Sequence, residues 1–221
     1  MMFDFTKIEG LRLSQGKHET PEDGVCFYEA VAFFAGEPHS DRPKCASPVL
    51  IGYGISLNDD MPDDLRNELL VPLIGQVAGT IDPKNEVKRG QFLAMWSVNK
   101  ILPIPLRACG LEENAKRCEA AKTRAAARDA AEAAAYAAYA AADATRDAAA
   151  ASAAYAASAA SSYARAADDA ARAADDAQKQ VWSVAVEGLQ QAILIGKHEG
   201  FINDPSDRLP AFKQLVGDWE T

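Results

Sequence analysis

Between residues 120 and 177 the chain places 34 alanines in 58 positions, and residues 111–186 contain neither glycine nor proline. Alanine is the strongest helix former and glycine and proline are the weakest, so this stretch is predicted to be helical. One unbroken helix over that span would be about 115 Å long, several times the width of a small domain. No other feature restricts the architecture as much, and it says little about chemistry.

The charges inside the tract are phased. At 100° per residue, the fourteen charged residues from Lys122 to Asp176 fall within one half-circle, leaving alanines with Thr145, Ser152, Tyr155 and Tyr163 on the other. The phase carries across the uncharged residues 148–164, which favours one continuous helix over a turn within that gap. Asp168 with Arg172 and Asp175 with Lys179 stand four residues apart, where opposite charges attract. A face of small side chains lets another helix approach closely. The expectation is therefore a helical homo-oligomer, with a solvated spacer helix as the alternative. Residues 181–195 are richer in large apolar side chains and must be buried, on a neighbouring copy if the helix is straight or on the same chain if it folds back.

Residues 1–110 read as a small helical head. Asp23-Gly24 precedes a helix that ends near Gly36, and Ser47-Pro48 gives the next one a capping side chain and a proline at its first position. Residues 61–80 hold one or two short helices. Asp82-Pro83 opens another, with Phe92, Met95, Trp96 and Val98 on one face. Residues 205–219 form a short closing helix. No alternating strand pattern occurs. The expected fold is all-α: a head (1–110), a very long Ala-rich helix (111–196) and a closing segment (197–221), or alternatively a helical hairpin folded back on the head.

A net charge of −9 argues against nonspecific binding to nucleic acid or to an anionic membrane surface. The four cysteines, Cys26, Cys45, Cys109 and Cys118, are dispersed, and the opening residues hold no apolar leader core, so a cytoplasmic protein with reduced thiols is expected. No stretch reads as a membrane span.

Residues 18–45 form the densest polar cluster. Cys26 stands at a predicted helix start, where the helix dipole can lower a thiol pKa. Were the chain an enzyme, Cys26 would be its nucleophile, with His18 or His39 as base and an acidic residue such as Asp23 to orient it. Asp23, Gly24, Cys26, Phe27 and Tyr28 resemble the D-G-x-C-aromatic motif of ovarian-tumour-type cysteine proteases, although His198 lies after a helix and not in a strand. A small cysteine packed at a helix start is the plainer reading. His18, Cys26, His39 and Cys45 offer a Cys₂His₂ zinc set whose spacing matches no common pattern; no metal or other cofactor is expected.

The run from His18 to Pro48 also resembles the opening of a family of bacterial and phage proteins with an HxxPEDGxCxxEAVAxxAGEPxSDxPxCxSPV signature followed by Ala-rich tracts. Matching positions include His18, Pro21, Glu22, Asp23, Gly24, Cys26, Glu29, Ala30, Gly36, Glu37, Pro38, Ser40, Asp41, Pro43, Cys45, Ser47 and Pro48. The resemblance implies a bacterial or phage accessory protein and brings no activity with it. The leading expectation is a non-enzymatic helical oligomer, acting for example in counter-defence. Its head would bind a host protein or a small ligand, such as a nucleotide, through His18, Glu22, Asp23, Cys26, Glu29, His39 and Asp41. A cysteine hydrolase and a filament-forming structural protein are the alternatives.

Overall fold

The structure, a computed structural model, describes residues 4–8, 10–142, 175–196, 202 and 204–217. Among them the chain is all-α, with no strand. The helices are α1 (Phe27–Ala35), α2 (Pro48–Asp60), α3 (Asp63–Leu70), α4 (Ile74–Val77), α5 (Glu86–Trp96), α6 (Pro103–Ala108), α7 (Glu112–Ala120), α8 (Arg124–Ala142), α9 (Asp175–Ile193) and α10 (Leu209–Gly217). None of these is long and apolar enough to cross a membrane. Contacts divide the chain into two compact units, Met1–Arg89 with Leu189–Thr221, and Gly90–Gly188. This division differs from one drawn at residue 110, because the apolar faces of α5 onward, and not composition, decide which residues pack together.

In the first unit, α1 is the central helix. Phe27, Tyr28, Ala30, Val31 and Ala32 are all sealed from solvent. Gly36 ends it in a left-handed conformation at φ 75°, as a C-terminal glycine should. Ser47 caps α2 by accepting the Leu50 N–H and donates its hydroxyl to Glu86 at the start of α5. Gly54 sits inside α2 for a packing reason. A Cβ there would stand 2.6 Å from the Tyr28 hydroxyl oxygen, which donates to the Leu50 carbonyl. The closing helix α10 brings Phe212 against Phe34, with ring centres 5.4 Å apart. Buried Arg89 donates to the carbonyls of Thr80 and Ile195, tying the end of α9 into this unit.

The second unit overturns the uninterrupted helix expected from residue 111. The chain leaves the helix at Ala121 and restarts at α8, where Thr123 accepts the Ala126 N–H. Alanine's preference for helix is worth only tenths of a kcal/mol per residue over its neighbours, less than the packing the break permits. Helices α7 and α8 bury Ala115, Cys118, Ala121, Ala127, Ala130, Ala131 and Ala134 with Val98, Leu102 and Leu106. The expected two-faced character is visible here. Ala127, Ala130, Ala131 and Ala134 are buried while Arg128, Asp129 and Glu132 are exposed. Residues 181–188 pack within the same unit, where the Trp96 indole N–H donates to the Val184 carbonyl at 2.8 Å. The chain's own helices therefore receive the apolar end of the tract. The continuity proposed across residues 148–164 lies outside the described residues.

Candidate functional site

The polar cluster of residues 18–45 is organised around one carboxylate. Glu29 stands three residues into α1 and reaches back to the Cys26 N–H at 2.8 Å, closing a capping box. It also accepts the His18 N–H at 2.8 Å and His18 Nδ1 at 2.7 Å. Its side chain is fully buried. Burial raises its pKa, but the two backbone donors and the His18 imidazole outweigh that and hold it below the usual carboxylate range. The group stays ionised at neutral pH. His39 donates Nε2 to the His18 carbonyl at 3.1 Å and stands 3.7 Å from Glu29, so the loop after α1 closes over the same carboxylate.

Ser14 joins this network. Its Oγ lies 2.9 Å from His18 Nε2. In the tautomer that gives Nδ1–H to Glu29, Nε2 can accept the serine hydroxyl. The backbone fixes Ser14 in place: its N–H donates to the Val25 carbonyl at 2.9 Å and its carbonyl accepts from Asn58 at 3.0 Å. The neighbouring Leu13 and Gly16 N–H groups donate to Asn67 and Asp59. Gly24 crosses directly above at φ 123°, a conformation that L side chains rarely adopt. A Cβ there would stand 2.9 Å from Ser14 Oγ and 3.1 Å from His18 Nε2.

Of the residues expected here, His18, Cys26, Glu29 and His39 are brought together. The cysteine hydrolase arrangement is not formed. Cys26 is 3% exposed and burial pushes its thiol up to about 12, so it holds almost no thiolate at neutral pH. Asp23 spends its carboxylate on Thr20, at 2.9 Å from the hydroxyl, and not on His18. The zinc set is not formed either. Both ring nitrogens of His18 and Nε2 of His39 are engaged elsewhere, and the described residues hold no group of three or more His, Cys, Asp or Glu placed for a metal ion. Cys45 belongs to a different corner, where Glu37 accepts the Lys44 and Cys45 N–H groups. Glu22 is exposed and Asp41 half-buried.

Sequence reasoning missed Ser14, because a serine four residues before a histidine in an irregular segment has no signature until Glu29 is seen to orient the ring. It also missed a groove of about 260 Å³ in the second unit, lined by Trp96, Asn99, Lys100, Arg107 and Glu119. A π-helical turn, Ser97–Ile101, forms one wall where a regular helix was expected. Such turns are rare and recur at functional sites. Its Asn99 donates to the Cys118 and Ala121 carbonyls at 2.6 and 3.0 Å, occupying acceptors that the helix break sets free. Comparison with protein-family models, curated proteins and solved structures finds no match for this chain.

Proposed function

We propose that this chain is a helical binding protein whose recognition surface is the segment of residues 14–45, and that it assembles through its alanine-rich tract. The binding reading is supported by one observation above all: Ser14, His18 and Glu29 are held in hydrogen-bond register by a fully buried carboxylate. Fixing a polar loop this firmly suits presentation of a constant surface, because a preorganised site loses less entropy on binding. The accessory-protein family that the segment resembles fits this reading. Ala127, Ala130, Ala131 and Ala134 already pack helix on helix within the chain, so assembly would use the rest of that face. The same small-residue phase runs on in the sequence to Ala174.

Backbone amide NMR against a set of small carboxylates, phosphates and esters tests the binding reading. Shifts confined to residues 14–26 and 37–45 are expected. Shifts centred on Trp96 and Lys100 would transfer the site to the groove of the second unit, and no shifts at all would remove the proposal.

A further inference from the structure

Resting on the reading that residues 14–45 form the ligand site, we infer that Ser14 is a nucleophile toward carboxylic esters. His18 is its general base and Glu29 the group that positions His18. A nucleophile, a base and an orienting carboxylate are recognised by geometry and role, whatever their order in the chain. Here Ser14 Oγ to His18 Nε2 is 2.9 Å and His18 Nδ1 to Glu29 is 2.7 Å. The Glu29 carboxylate is sealed from water and held by two further N–H donors, so it cannot swing away from the ring.

The serine hydroxyl is not needed for that lock. Glu29 is already satisfied without it, and the Ser14 main chain is pinned by its own bonds to Val25 and Asn58. The hydroxyl's other partner, the Val25 carbonyl, is 3.3 Å away, farther than the imidazole. His18 keeps 12% of its side chain exposed. Gly24 has no side chain to project over Ser14 and His18. The hydroxyl is therefore aimed at the base, with solvent within reach.

The reaction that follows is a double displacement. Ser14 Oγ adds to the acyl carbon and its proton passes to His18 Nε2, giving an imidazolium opposite the Glu29 carboxylate. The acyl–oxygen bond to the alcohol then breaks, and the alcohol leaves with the proton from Nε2. Water adds to the acyl-serine and gives a proton to His18. The serine–acyl bond breaks, Ser14 recovers that proton, and the carboxylic acid departs. No metal or redox partner is required.

The test treats the whole chain with a fluorophosphonate, maps the adduct by mass spectrometry, and follows p-nitrophenyl acetate hydrolysis against pH. One adduct on Ser14 is expected in the native protein. Ser14→Ala should lose at least about 100-fold of the hydrolysis, the lower range for a positioned acid–base group. Glu29→Gln should shift the midpoint of the pH profile. Cys109→Ser, at an exposed position outside the network, should leave the rate unchanged. The adduct on native Ser14 is read whether or not a variant folds. An unlabelled Ser14, or equal hydrolysis by Ser14→Ala, overturns the inference. If the NMR shifts at residues 14–45 persist alongside that result, only the catalytic assignment fails; if they are absent too, the binding site fails with it.

Discussion

At the scale of single residues, Glu29 decides how the N-terminal third of the chain is ordered. Its carboxylate collects Cys26, His18 and, more distantly, His39 into one buried knot. Replacing it with glutamine removes the charge that three donors face, and breaking a buried charged network of this kind costs roughly 3 kcal/mol. The pH dependence follows from its lowered pKa. A carboxyl whose folded pKa lies below its unfolded value stabilises at neutral pH, and that contribution is lost as pH falls from the ordinary value of 4.5 through the folded one. The gap in melting temperature between the native chain and Glu29→Gln should therefore be wider at pH 7 than at pH 3. An unchanged gap would mean that the charge contributes nothing. Gly24→Ala should also destabilise, by about 1–3 kcal/mol, because an alanine must adopt φ 123° with its Cβ against Ser14. The residue types at this knot were legible in the sequence as a polar cluster. Their pairing was not: Asp23 and Glu29 look equally suited to serve His18 until α1 turns one inward and the Pro21–Asp23 turn spends the other on Thr20.

At the scale of elements, α7 and α8 show how a strong local preference yields to packing. A sequence of alanines, lysines and glutamates from residue 112 to 142 has no stop signal stronger than Thr123. Yet the chain breaks there, because Asn99 on the π-helical turn takes up the Cys118 and Ala121 carbonyls. Asn99→Ala should cost about 1–3 kcal/mol, the desolvation penalty of acceptors left unpaired, read by chemical denaturation. Its effect should exceed that of any exposed substitution on α8. The alanine face makes the complementary prediction. Ala130→Leu forces extra volume into a close helix contact and should destabilise by roughly 1–3 kcal/mol, whereas Asp129→Ala on the wet face should stay within about 0.5 kcal/mol. Equal effects at the two positions would mean that the burial pattern of α8 is wrong.

At the scale of the whole molecule, contacts divide the chain into two compact units, Met1–Arg89 with Leu189–Thr221, and Gly90–Gly188. Part of the small-residue face is covered within the chain by α7, so the proposed assembly would rest on the remainder of the tract. Light scattering on the purified chain is expected to give a mass above the 23.6 kDa of one copy. A single-copy mass at high concentration would assign the whole alanine face to the chain's own packing. The sequence by itself determined the helical class, the end of α1 at Gly36, the Ser47 cap of α2, and which side of α8 meets water. Those outcomes depend on propensities and periodicities acting over a few residues. Only the tertiary structure decided that the helix breaks at residue 121, that Trp96 meets Val184, and that Ser14, His18 and Glu29 stand in line. Those outcomes depend on particular partners, from four residues apart for Ser14 and His18 to 88 for Trp96 and Val184, satisfying each other's hydrogen bonds and apolar surface, and no local pattern encodes which partner will be there.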